Sequence, residues 1–285
     1  MRLSRISLLG VAVAATMVGC SEPSDAPTTP NLPPLAFVRY INAVPDTLNT
    51  TVRFIDQLEY SPMTFANVPF RGLGQGNYQP TEAGARKFRV FTADAVNYST
   101  AGNTTILVDT TITFEAGKYY TLLHLGYARA GATPRQRIVA ITDALPAQGA
   151  NISFRAIHAG LDVGNVDIYA TPTVTDAIAG APLLANVALN TVSAYLSRPT
   201  GAFATRVTAA GSTTPVISAA APAGTAGSVS VDPLGGVTVS GSIITAIAFP
   251  ASPQLPAAPS AGARFAAPGV SYFVDRQPPR TTPNP

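Results

Sequence analysis

Apolar and polar positions in this chain change over with the short period of strands. Residues 104–114 alternate, so that one face is buried and the other wet, as in an antiparallel sheet. Residues 86–91, Ile106–Phe114 and Tyr119–Leu125 are β-branched or aromatic runs of strand length bounded by Gly, Asn or Pro. Residues 166–169, 203–207 and Ile243–Phe249 repeat the pattern farther on. The 26 prolines and 23 glycines interrupt the sequence too often for long helices. The pattern predicts an all-β protein.

Self-similarity sets the organisation. The segment from Phe37 to Asp46 matches that from Phe154 to Asp162, with Arg39 on Arg155, Ile41 on Ile157, Ala43 on Ala159 and Asp46 on Asp162. Asn67 and Val68 match Asn186 and Val187. Tyr78, Gly84, Ala85, Arg89 and Val90 then stand at one constant offset from Tyr195, Gly201, Ala202, Arg206 and Val207. Gly117 and Thr121 match Gly241 and Thr245, and both copies close on Asp-x-x-Pro, at 143–146 and 275–278. Two tandem immunoglobulin-like antiparallel β-sandwich domains are expected, at 36–147 and 150–279, with 280–285 a disordered tail. A linker as short as 147–150 suggests end-to-end packing. Tyr78 and Tyr195 are expected at a sandwich corner. Two segments that enlarge the second copy, 212–227 and 251–268, are rich in Ala, Gly, Ser and Pro and read as mobile loops that could bind a ligand.

The sequence also carries a resemblance. Arg155-Ala-Ile-His158-Ala-Gly-Leu-Asp162, the strand Val166-Asp167-Ile168-Tyr169, Asn67-Val68-Pro69 and the stretch from Tyr195 to Gly201 are similar to segments of the bacterial domain-of-unknown-function family 4397. Alignment places Asn42 where the second copy has His158, and Arg53 where it has Asp167. The resemblance implies an extracytoplasmic sandwich and no particular activity.

The amino terminus states a destination. Arg2 and Arg5 precede a thirteen-residue apolar stretch, 6–18, too short for the roughly 20 residues of a membrane-spanning helix. It ends Met17-Val18-Gly19-Cys20, which resembles a bacterial lipobox and makes Cys20, the sole cysteine, the expected lipidation site. Residues 1–19 are then a lipoprotein signal peptide. Residues 20–35 form a lipidated tether with prolines at 23, 27, 30, 33 and 34, extended at about 3 Å per residue. Ser21 lacks the acidic side chain of inner-membrane retention, so an outer-membrane anchor in the cell envelope is expected. The second copy, with its more variable loops, would then be the membrane-distal one.

Charge adds little. Of 18 basic residues, Arg2 and Arg5 leave with the signal, so 16 stand against 15 acidic ones. That is no footprint for nucleic acid. Arg86, Lys87 and Arg89 on a strand read as a solvated face.

Candidate chemistry is sparse. His124 and His158, one per copy, cannot assemble a zinc site, so no cofactor is expected. Asp46, Asp162 and Asp167 in turns are weak calcium candidates, against the simpler reading of turn aspartates that bind their own backbone. Gly72, Gly74 and Gly76 resemble a phosphate loop, but no helix follows. No catalytic Ser or Cys motif is present. The expectation is a lipid-anchored, non-enzymatic structural or binding module whose partners are the membrane, through Cys20, and an envelope protein or glycan. The rival is a metal-dependent or hydrolytic activity centred on His158, Asp162 and Asp167.

Overall fold

The computed structural model describes residues 33–56, 64–92, 105–253 and 265–280. The segments read as signal peptide and tether, Cys20 included, lie outside them but for residues 33–35, as do most of the segment 251–268 and the expected tail beyond Arg280. The described residues hold sixteen strands and no α-helix.

The first eight are β1 (Leu35–Ala43), β2 (Thr50–Phe54), β3 (Thr64–Val68), β4 (Gln79–Glu82), β5 (Gly84–Thr92), β6 (Ile106–Phe114), β7 (Tyr119–Leu125) and β8 (Arg137–Thr142). They form two four-stranded sheets, β4-β1-β7-β8 and β3-β2-β5-β6. The next eight are β9 (Ile152–His158), β10 (Val166–Thr171), β11 (Leu184–Val187), β12 (Leu196–Arg198), β13 (Ala204–Ala209), β14 (Pro215–Ala220), β15 (Ile243–Phe249) and β16 (Gly269–Arg276). Their sheets, β12-β9-β15-β16 and β11-β10-β13-β14, copy the first pair strand for strand. Each half is thus a β-sandwich with one parallel pairing, β1 with β7 and β9 with β15, among antiparallel ones. Eight strands in two fours, in place of the four-plus-three immunoglobulin constant arrangement, define the connectivity.

Burial explains how the halves meet. β5 and β6 alternate between buried and exposed positions, as strands of an outer sheet do, whereas β1, β7, β9 and β15 are buried on both faces over most of their length. One face of β1 and β7 sends Val38, Tyr40 and Leu122 into a core with Val52, Phe54, Phe65, Phe88 and Phe114. The other sends Ile41, Ala43, Leu123 and Leu125 against Ile157, Ala159, Ile247, Phe249 and Phe273 of the second half. The halves therefore pack face to face, four sheets deep, and the end-to-end arrangement is corrected. A short linker permits either geometry, and the second apolar face of the central strands decides. Each large side chain buried there contributes about 1.5–3 kcal/mol relative to exposure, so the two sandwiches do not part readily.

The expectation for 212–227 also needs correction. Residues 215–220 are β14, paired with β13 as β6 is with β5, and Ile217 enters the core of the second half. Proline and small residues obscured the strand, but Pro215 opens a sheet-edge strand, where a missing N–H costs no ladder bond. The extra length of the second copy lies later, in residues 221–242 and again between β15 and β16.

Candidate functional site

His158, Asp162 and Asp167 can be judged against their counterparts in the first half. His158, at the end of β9, is fully buried; it accepts the Gly160 amide at Nδ1, 3.3 Å away, and its Nε2 contacts the Gly164 carbonyl oxygen at 2.6 Å. An Nε2–H tautomer satisfies both bonds. Burial lowers its pKa, opposed by the Gly164 carbonyl and Asp162. Asn42 makes the equivalent turn, accepting the Val44 amide at 3.0 Å. Asp162 accepts the Ala251 amide at 3.3 Å, as Asp46 accepts those of Ala128 at 2.7 Å and Arg129 at 3.2 Å.

Asp167 accepts the amides of Asn186 and Gly211, both at 2.7 Å. Its counterpart is Thr51, because Asp167 faces Thr208 on β13 and Thr51 faces Phe91 on β5. The sequence alignment that put Arg53 there is off by two residues. A two-residue slip keeps every side chain on its own face, so alternation cannot detect it. Thr51 Oγ1 accepts the amide of Asn67 at 3.1 Å, as Asp167 does that of Asn186. Both asparagines are left-handed, at φ 52° and 49°, a conformation Asn tolerates better than most residues. None of the hydrogen bonds of His158 goes to Asp162 or Asp167. The three act on separate stretches of backbone, in ways the first half reproduces with Asn42, Asp46 and Thr51. No group of three or more His, Cys, Asp or Glu able to hold a metal is found among the described residues.

The concentrated chemistry lies elsewhere, between the central sheets. Arg39 on β1 and Arg155 on β9 point into the plane where the halves meet, and each reaches the other half's closing aspartate. Arg39 Nη1 donates to Asp275 Oδ1 at 2.7 Å, and Arg155 Nη2 to Asp143 Oδ1 at 2.6 Å. Each Nε donates to a threonine of its own half, Thr121 or Thr245, at 2.8 Å. Those threonines donate in turn to Asp143 and Asp275, both at 2.5 Å. Tyr78 donates to Asp143 at 2.7 Å and Tyr195 to Asp275 at 2.5 Å. The guanidinium of Arg39 lies 4.7 Å from the Tyr78 ring centroid, and that of Arg155 lies 4.6 Å from the Tyr195 centroid. Eight side chains thus form two equivalent quartets related by a pseudo-two-fold exchange. Asn77 adds a one-sided contact, donating to the carbonyls of Val274 and Asp275 at 2.8 Å.

The side chains of Arg39, Asp143 and Asp275 are wholly buried, and that of Arg155 is 3% exposed. Burial alone would lower the pKa of Arg39, but Asp275, Tyr78 and Asp143 carry it above the ordinary arginine value. Burial raises both tyrosines, so they stay protonated as donors. Both carboxylates are filled by donors of the chain itself, and the cluster is closed to substrate. It locks two halves together. The expectation of corner tyrosines for Tyr78 and Tyr195 is replaced by this role. The repeat had already marked Arg39, Tyr78, Thr121 and Asp143 with their partners, but nothing in the sequence showed that the pairs cross between copies.

His124 on β7 is the second buried histidine. Tyr40 lies 2.8 Å from its Nδ1 and Gln136 Oε1 lies 3.0 Å from its Nε2. With no anion beside it, burial pushes its pKa down to about 4. On the outer sheet, Arg86 pairs with Glu82 and Asp56, while Lys87 and Arg89 pair with Asp109.

Residues 36–169 match the family described as Domain of unknown function (DUF4397), the same family the sequence resembles. The match covers the first half and continues through β9 and most of β10. No curated protein matches the chain.

Proposed function

We propose that this chain, which carries a domain of the DUF4397 family across residues 36–169, is a non-enzymatic module of the bacterial cell envelope, anchored by lipid at Cys20 and serving to bind a protein or glycan or to support envelope structure. The observation that carries this reading is how the polar chemistry is spent. Asp143 and Asp275 are saturated by arginine, threonine and tyrosine of the chain, and His158, Asp162 and Asp167 hold separate backbone turns. Catalysis needs an acid, a base or a nucleophile brought to one reachable point. The buried carboxylates here are instead held in a fixed scaffold. The anchor rests on the signal-like segment 1–19 and on Cys20, with the outer membrane favoured by Ser21. The two outer sheets are the faces such a module would offer a partner.

The test has two parts. The chain recovered from its native envelope is examined by mass spectrometry for acyl groups on Cys20, and the purified chain is assayed on an ester, peptide and glycoside panel. The reading expects acylation and no turnover. Turnover that disappears in His158→Ala would replace it with the catalytic alternative.

A further inference from the structure

The residues that most distinguish the second half from the first are 221–242, which connect β14 to β15. The first half makes the same connection with residues 115–118. Within 221–242 the chain closes on itself as a hairpin. Thr225 and Leu234 exchange amide-to-carbonyl bonds of 3.0 and 2.9 Å, and the Ser228 amide bonds to the Val231 carbonyl at 2.9 Å. The base is fixed by Val237 and Thr238 amides bonded to the carbonyls of Pro222 and Ala223 at 2.8 and 3.0 Å. Gly236 belongs there, because a Cβ would collide with Gly224 and Ala223. From the Thr225–Leu234 pair to the tip is three residues, about 10 Å at strand rise.

The tip, Ser228-Val229-Ser230-Val231-Asp232, presents two valines between polar residues and carries one acid. Val229, Val231 and Leu234 are 66%, 57% and 60% exposed, the three most exposed large apolar side chains among the described residues. The acid in the loop, Asp232, is paired with Arg280. Three such side chains within six residues of a braced hairpin are a candidate contact surface.

Strand registers place this hairpin. β15 begins beside the start of β9, with Ile243 opposite Ser153, and the Gly241 amide bonds to the Asn151 carbonyl. Gln148, in the linker, donates to the carbonyls of Gly241 and Gln277 at 2.7 and 2.6 Å. The linker arrives from β8, whose last residue, Thr142, pairs with Tyr120 near the start of β7, and Tyr119 pairs with Phe37 near the start of β1. The start of β1, the linker and the hairpin base therefore lie at one end of the molecule. The amino-terminal segment joins the fold at that end, beside Leu35, itself 39% exposed. Face-to-face packing has brought the second copy's longest loop to the side from which the anchor would come.

We infer that the hairpin, through Val229 and Val231 at its tip and Leu234 at the Thr225–Leu234 pair, is a membrane contact that seats in the lipid surface to which the chain is tethered. This rests on the lipid-anchor reading above. Residues 21–35 would span at most about 54 Å, which bounds the distance to the bilayer without fixing it. The exposed valines and leucine gain by leaving water at the headgroup boundary, with the one acid neutralised by Arg280, and their seating would turn a loose anchor into a defined orientation.

The experiment uses the acylated full-length protein, in which Cys20 is blocked and an introduced cysteine is the free thiol. Val231→Cys, at the tip, and Thr213→Cys, in the turn between β13 and β14 at the opposite end, each receive an environment-sensitive dye. The proteins are incorporated into protein-free vesicles of phosphatidylethanolamine and phosphatidylglycerol. The tip label is expected to shift to the blue, to be quenched by spin-labelled lipid, and to lose accessibility to iodide at least about threefold, while the label at 213 does none of these. A tip label that stays in water on incorporated protein overturns the inference and leaves the anchor standing. Protection seen in native envelope but absent from protein-free vesicles overturns it in favour of a protein partner. A chain whose mass shows no acyl group on Cys20 defeats the anchor reading, and this inference falls with it.

Discussion

Replacing Asp275 by alanine removes one carboxylate on which three donors converge: Arg39 Nη1 at 2.7 Å, and Thr245 and Tyr195 at 2.5 Å. Arg39 is wholly buried and keeps its charge, so the variant leaves a cation between two sheets with Thr121, Asn77 and the Tyr78 ring as its contacts and Asp143 acting on it without a direct bond. Breaking a buried pair from one side costs about 3–5 kcal/mol. In a unit of this size that lowers the melting temperature by roughly 6–20 °C, at about 2–4 °C per kcal/mol. The cross-half arrangement makes a sharper claim, measurable by urea denaturation of single and double variants. Arg39→Met and Asp275→Leu should couple by more than about 1.5 kcal/mol, with the double variant recovering much of the loss. Arg39→Met and Asp143→Leu, which share a half, should couple less. A cost below about 1 kcal/mol for Asp275→Ala, or equal coupling of Arg39 to both aspartates, would refute the exchange.

The buried His124 gives the fold an acid limit. Its folded pKa of about 4 lies below the unfolded value near 6.5, so the unfolded chain binds the proton first. The stability it supports is complete above pH 6.5 and falls as pH drops toward 4, by about 2 kcal/mol at pH 5. Urea midpoints across pH 4.5–7.5 should show this slope, and His124→Gln should flatten it; an unchanged slope counts against His124 as its source. His158→Asn, which installs the side chain Asn42 provides in the first half, should alter stability by less than about 1 kcal/mol in thermal melts. A loss beyond about 3 kcal/mol would mean that His158 does more than hold its turn. Asn186→Gly should be close to neutral, whereas Asn186→Ala should cost about 1–2 kcal/mol for an alanine at φ 49°, and equal melting temperatures would contradict the strain argument.

The duplication was plain in the sequence because the same residues recur with the same spacing, and the strands were plain where β-branched runs end at Gly or Pro. Face-to-face packing left a fainter trace. β15 reads Ile-Ile-Thr-Ala-Ile-Ala-Phe without a polar face, the mark of a strand covered on both sides. The arginine exchange could not be read, because Arg39 and Asp275 lie 236 positions apart and each also has an equivalent acid or base in its own half. The role of Asp167 was obscured by the two-residue register error, which disappears only when paired strands are seen together. Pro215 and its alanines hid β14, since composition reports average flexibility and not the ladder that one edge supplies.

The crossing of the arginines also sets an order of events for a chain delivered amino terminus first. Strands β1 to β8 emerge first and contain every pairing partner of their own two sheets, and Asp143 is then present with Thr121 and Tyr78. Arg39 must still wait for Asp275, on β16. Until β16 docks, Arg39 has Thr121 and the field of Asp143 but not its ion-pair partner, and a chain cut short before β16 never gains it. Docking of β16 is therefore the step that gives Arg39 its direct carboxylate partner, and it couples completion of the second half to the interior of the first.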